Sequence, residues 1–298
     1  MLALQDTKVA ECGCDRMGSE ESLKYSRAFD REIVIESYGV RVKLQATSHE
    51  LLKDAEQTAR KALLDRLEII ETNDAEHSFG FASDEGGAIC LFQNGKEMSS
   101  DTDRRRFFKF FNSMLRIVVA ERARDCVFIH AGVVARGGKA IVIPANSFQG
   151  KTTLVAELIK NGAEYYSDEY AVLDEEGRVH PFPRDLSVRD KEFREKDIPV
   201  AELGGKTGVE PVPVGAVLLT EYAANGVWNP QKLTVGQGIM EIIPHTIPRN
   251  FNTEFSLKVL NTAVSDAIKL KSPRGDAGEF AINFLSFFDN FINLAKIT

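Results

Sequence analysis

Gly150-Lys151-Thr152-Thr153 stands between an apolar run, Ala140 to Ile143, and a helix-like stretch that continues to Lys160. A glycine, an ammonium and a hydroxyl in that order suit a phosphate chain. Backbone N–H groups and a helix N-terminus cradle the oxygens, Lys151 reaches the β/γ-phosphates, and the Thr152 hydroxyl faces Mg²⁺. The expected binding set is Ser147, Gln149, Gly150, Lys151, Thr152 and Thr153. The pattern departs from the usual one at Ala145, where glycine normally stands. Alanine lacks glycine's freedom at positive φ, so residue 145 keeps a negative φ or the loop is reshaped.

Two adjacent acids follow, with Asp168 lying 17 residues after Lys151. One helix and one strand fill that gap. They return Asp168 and Glu169 to the carboxyl edge of the sheet beside the loop, where open α/β folds bind ligands. Phosphoryl transfer needs a carboxylate for Mg²⁺ and a group that orients or deprotonates the acceptor. Thr152, Asp168 and Glu169 are therefore the candidate metal ligands. Strand alternation points adjacent acids apart unless the strand ends at them; the plainer reading is a solvated turn. His130 interrupts the apolar strand Phe128-Ile129-His130-Ala131-Gly132 beside the loop strand. A lone histidine in such a place is more often a satisfied core residue.

The elements that must hold these groups show in the periodicity. Ile33 and Ile35, then Val40, Val42 and Leu44, alternate around Tyr38-Gly39 and predict a hairpin. Leu51 to Leu67 repeats apolar residues at three and four, as a helix does. Short strands fill 68–95. From Asp103 to Arg122, Phe107, Phe110, Phe111, Met114, Leu115, Val118 and Val119 form one apolar helical face, with Arg104-Arg105-Arg106 a solvated start. Strands are expected at Val127–Ala135, Lys139–Ile143, Glu164–Leu173 and Val214–Thr220. A helix from Thr153 stops at Asn161-Gly162. Residues 190–213, charged and rich in Pro and Gly, predict an exposed mobile loop. Helices are expected at 235–247, 253–268 and 276–294.

Composition narrows the classes. The chain has 298 residues, 43% hydrophobic and 27% charged, as ordinary soluble globular proteins do. Its net charge of −7 disfavours a general nucleic-acid or membrane binder. No apolar run is long enough to span a bilayer, and the N-terminus lacks the apolar core of a signal peptide. The four cysteines, Cys12, Cys14, Cys90 and Cys126, form no Cys-x-x-Cys pair, and a reducing cytoplasm is the expected setting.

Four runs carry a family resemblance: Phe-Ile-His-Ala-Gly-Val-Val-Ala (128–135), Gly-Lys-Thr-Thr-Leu (150–154), Tyr-Ser-Asp-Glu-Tyr-Ala-Val-Leu-Asp (166–174) and His-Pro-Phe-Pro-Arg-Asp-Leu-Ser-Val-Arg (180–189). Together they resemble the HPr kinase/phosphorylase family and its HPr-kinase-related relatives, which group with the phosphoenolpyruvate carboxykinases. The resemblance implies an α/β fold: a P-loop kinase core of the HPr kinase/PEP carboxykinase type over 126–298, a small α+β N-terminal domain over 31–125, and a flexible lead-in over 1–30. It implies ATP and Mg²⁺, and transfer of the γ-phosphoryl group to a serine-like hydroxyl of a peptide, protein or small molecule. Some relatives modify precursor peptides. By position, Lys151 binds phosphate, Thr152 binds Mg²⁺, Asp168 is the base toward the acceptor, Glu169 is the second acid, and His130 stands near the acceptor. Arg184 and Arg189 are candidates for charge stabilisation. The chain departs from the family at Ala145, at Phe148 in place of a small residue, and at Glu169 in place of aspartate. Those departures motivate the alternative, a non-catalytic nucleotide-sensing or peptide-binding module with a degenerate loop. A homo-oligomer is left open.

Overall fold

The computed structural model describes residues 29–145, 150–189, 195–247 and 251–295; the side chains at 188, 189, 195 and 295 are outside that description. The chain divides into two compact units. One takes in Arg41–Arg116 and the residues through Ser37; the other takes in Tyr38–Val40 and the chain from Ile117.

The first unit is a six-stranded mixed sheet with helices. β1 (Arg31–Ser37) and β2 (Val40–Ala46) form the expected hairpin. Tyr38 and Gly39 take φ 50° and 71°, the left-handed pair whose twist matches flanking strands. α1 (His49–Ala62) starts at Ser48, whose hydroxyl accepts from the Leu51 amide at 3.2 Å. It stops short of the expected Leu67, because Leu64 and Asp65 turn to φ 54° and 57°. β3 (Glu68–Ile70), β4 (His77–Ser83), β5 (Ile89–Gln93) and β6 (Lys96–Asp101) complete the order β3-β1-β2-β4-β5-β6. α2 (Arg104–Arg122) sets Phe111 edge-on against Phe79 and Phe81 of β4, with ring centroids 5.2 and 4.7 Å apart. Phe110, expected on that buried face, is 37% exposed, so the apolar stripe is narrower than its residues suggest. Arg104 is exposed, as expected, and donates to Asp54 at 2.7 Å and Glu50 at 2.9 Å on α1.

The second unit carries the chemistry-bearing residues. Its elements are β7 (Val127–Arg136), β8 (Lys139–Pro144), α3 (Lys151–Lys160), β9 (Glu164–Ser167), β10 (Tyr170–Leu173), β11 (Arg178–His180), β12 (Leu186–Arg189), β13 (Glu195–Ile198), β14 (Val212–Tyr222), β15 (Gln231–Lys232), α4 (Val235–Ile242), α5 (Thr253–Ser265), β16 (Ile268–Arg274) and α6 (Ala277–Ala295). The sheet runs β11-β10-β7-β8-β14-β16-β15, with β9 beside β7 and β11 also touching the start of β14. β14 is parallel to both β8 and β16. Both faces are covered, which is why β8 and β14 read as continuous apolar runs. Ile141, Ile143, Ala216 and Leu218 meet α3 and α6, through Leu154, Leu158, Phe284 and Phe288. Val142, Val217 and Leu219 meet α4 and α5, through Ile242, Val259 and Leu260.

Three expectations change here. The single strand expected at Glu164–Leu173 is two, β9 and β10, separated by a bend at Asp168-Glu169. The Ser167 hydroxyl accepts from the amides of Glu169 at 3.1 Å and Tyr170 at 3.0 Å, giving the backbone a turn in place of ladder bonds. The loop expected over 190–213 contains β13, which pairs with β12, and a 3-10 turn at Val200–Leu203. Further on, the Tyr165 amide donates to the Lys206 carbonyl at 2.7 Å, and the Gly208 amide to the Tyr165 carbonyl at 2.8 Å. Unpaired β9 edge groups recruit this segment. Last, the helix expected to run to 268 ends at Ser265, and Ile268–Arg274 is a strand of the main sheet. Buried Lys269 donates to the carbonyls of Val264 at 2.9 Å and Ser265 at 3.4 Å, closing the helix end. Among the described residues, no helix is long and apolar enough to cross a membrane.

Candidate active site

Lys151 opens α3 directly after Gly150, which caps the helix at φ 73°. A Cβ at Gly150 would lie 2.5 Å from Nη2 of Arg274, so only glycine fits both the angle and the space. The lysine stem runs over β7, where a Cβ at Gly132 would meet Val155 Cγ2 at 2.6 Å and Lys151 Cγ at 3.1 Å. The bare glycine makes the groove that aims the ammonium. Ala145, at the end of β8, is buried and is not among the residues at positive φ, so its methyl imposes no backbone strain.

Two contacts tie the sequence-predicted residues together. Lys151 Nζ stands 3.3 Å from His130 Nε2. Thr152 Oγ1 donates to Asp168 Oδ2 at 2.6 Å. The bend after Ser167 splits the two acids. Asp168 turns to Thr152, while Glu169 Oε2 lies 3.6 Å from Arg184 Nε. Arg184 is held in turn by its carbonyl, which accepts from the buried Tyr165 hydroxyl at 2.6 Å. Thr153 is exposed. Ser147, Phe148 and Gln149 lie outside the described residues, as does the side chain of Arg189, whose backbone ends β12.

Burial dominates the electrostatics. It pushes Asp168 up to about 6, against the opposing pull of Lys151 and the Thr152 hydrogen bond. Burial, then the charges of Lys151 and His245, bring His130 down to about 4, with the backbone at Ala145 working the other way. His130 is thus neutral near pH 7 and accepts from the lysine. Burial also lowers Lys151, opposed by Asp168 and Glu169. Such displaced titrations cluster where protons and charge are handled.

Asp168 Oδ1 is buried with no hydrogen-bond partner among the described residues. An orphaned carboxylate oxygen beside a threonine hydroxyl fits Mg²⁺, a hard cation that takes one or two protein oxygens and completes its shell with water and phosphate. No cluster of three or more His, Cys, Asp or Glu side chains that could hold a metal occurs among the described residues.

Sequence reasoning missed Arg274. It is 3% exposed and ends β16, and burial lowers the pKa of its guanidinium. The parallel pairing of β16 with β14 brings it to the loop edge. Nothing local in Ser272-Pro273-Arg274 marks it.

No family model matches the chain, and no curated protein matches it. Among solved structures, the Hpr(Ser) kinase/phosphatase from Coxiella burnetii aligns over 57% of this chain and 99% of that one, at 11% identity and a TM-score of 0.32. A likeness that slight does not establish a shared fold.

Proposed function

We propose that the chain is an ATP- and Mg²⁺-dependent kinase that phosphorylates a serine-like hydroxyl. The observation that supports this most is the Thr152–Asp168 contact at 2.6 Å, with Asp168 Oδ1 unpartnered among the described residues, next to a buried lysine at a helix N-terminus. The chemistry Mg²⁺ would supply when bound is neutralisation of the negative charge that develops on the transferred phosphate. Thr152 and Asp168 would hold it. Lys151, aimed by Gly132 and by neutral His130, holds the phosphate oxygens. The acceptor oxygen bonds to the γ-phosphorus, the bond to the bridging oxygen breaks, and ADP leaves. Asp168, ionised near neutral pH, takes the acceptor proton. Arg184, 3.6 Å from Glu169 Oε2, offers its guanidinium toward the transferred group.

Isothermal titration with Mg·ATP tests the reading. The wild type is expected to bind at micromolar concentrations and Lys151→Ala at least tenfold more weakly. Absence of binding by the wild type would defeat the proposal.

A further inference from the structure

Two parts of the candidate site share one buried hydroxyl. Tyr165 on β9 is fully buried in the core, among Leu158 and Ile159 of α3 and Leu186 of β12. Its hydroxyl donates to the Arg184 carbonyl at 2.6 Å, and the Asp168 backbone amide donates to the same oxygen. A phenol in an apolar core costs free energy unless its oxygen is bonded. Here each bond ends on the backbone of a residue whose side chain enters the chemistry above. Asp168 reaches Thr152, and Arg184 reaches Glu169.

The two partners come from different elements. Asp168 lies in the bend after β9, and Arg184 in the stretch that leads into β12. Residue 165 between them is fixed on both edges. It pairs with Val134 of β7 in the sheet. On its other side the amide donates to the Lys206 carbonyl at 2.7 Å, and the carbonyl accepts from the Gly208 amide at 2.8 Å. The ring therefore stands on a rigid base, and its oxygen is a fixed point for both chain segments.

We propose that Tyr165 is a positioning residue, whose hydroxyl sets the separation between the Asp168 carboxylate and the Arg184 guanidinium. The proposal rests on the kinase reading above. Phenylalanine would fill the same space, but only the hydroxyl ties the two segments together. Transfer is sensitive to such a tie, because misplacing a group by about 1 Å can cost on the order of a hundredfold in rate.

The neighbouring tyrosine supplies a control. Tyr166 is almost as buried, belongs to the core on the opposite face of the sheet, and donates its hydroxyl to the Glu210 carbonyl at 2.8 Å. That bond is of the same kind and ends on none of the site residues.

The test is calorimetric titration of the full chain with Mg·ATP, with melting curves recorded alongside. Tyr165→Phe is expected to bind about threefold to tenfold more weakly than the wild type, as one hydrogen bond implies. Tyr166→Phe should bind as the wild type does, although both variants lose a buried hydroxyl. Tyr165→Phe is then added to Asp168→Asn and, separately, to Arg184→Gln. Its cost should shrink in each background, as it does for groups that act through one another. If Tyr165→Phe binds like the wild type, or fails to fold, the hydroxyl serves stability alone and the proposal is overturned. Equal weakening by Tyr166→Phe would show general loosening of the core and overturn it too, as would a full cost that persists in either background. If the wild type does not bind Mg·ATP, the kinase reading itself falls and takes the proposal with it.

Discussion

At the scale of the residue, Asp168 concentrates the chemistry and the cost. An unfolded carboxylate titrates near about 3.9; burial raises Asp168 to about 6. Between those values the folded chain keeps a proton that the unfolded chain has released. The group's contribution to stability is therefore present below about pH 4 and lost as pH climbs through 6. Asp168→Asn removes that loss. In metal-free buffer, its melting temperature should exceed that of the wild type by more at pH 7.5 than at pH 4, by an amount worth on the order of 2 kcal/mol. A pH-independent difference between the two melting curves would refute the raised pKa. On the proposed kinase reading, the same substitution removes the proton acceptor and should abolish phosphoryl transfer.

At the scale of the element, the bend between β9 and β10 decides where the acids go. Ser167 is 1% exposed and accepts two amide hydrogen bonds. Ser167→Ala strips the buried Tyr170 amide and the half-buried Glu169 amide of this acceptor, at a cost of about 1–3 kcal/mol by urea unfolding. With the turn loosened, Asp168 is no longer held against Thr152, and Mg·ATP affinity should drop several-fold. A stability loss with unchanged affinity would show that the acids do not depend on the turn. α3 carries the complementary half of the site. Its left-handed cap at Gly150 lets the chain enter the helix with Lys151 and Thr152 in the first turn, so one element aims both groups.

At the scale of the whole molecule, the second unit is a sheet covered on both faces, and α6 shows how strongly one cover is bound. Phe284 is fully buried between sheet and helix, stacked on Phe288 with centroids 5.8 Å apart. Ile282, on the same helix, is 58% exposed. Phe284→Ala should cost about 3–5 kcal/mol, while Ile282→Ala should stay within about 0.5 kcal/mol. Urea midpoints measured side by side check the pair, and equal losses would contradict the assignment of the core face. Because α6 and α3 share that core, the Phe284 variant should also weaken Mg·ATP binding.

Local features of the chain by themselves determined the strand before and the helix after Gly150, the hairpin at Tyr38-Gly39, the aromatic helix α2 and the return of Asp168 and Glu169 to the neighbourhood of Lys151. Each rests on short-range causes: side-chain period, glycine's conformational freedom, and the reach of one helix and one strand. Tertiary structure alone decided the rest. That the strand could end at its two acids was open in the sequence, and competition between the Ser167 hydroxyl and the β7 pairings is what ends it there. β16 was missed although Ile268-Lys269-Leu270-Lys271 alternates as a strand does, because four alternating residues are a short signal and parallel pairing with β14 is what extends the strand to Arg274. Arg274 came to Gly150 through strand pairings between segments far apart in the chain. Pairing of that kind is set by the burial of whole faces, which no local pattern encodes.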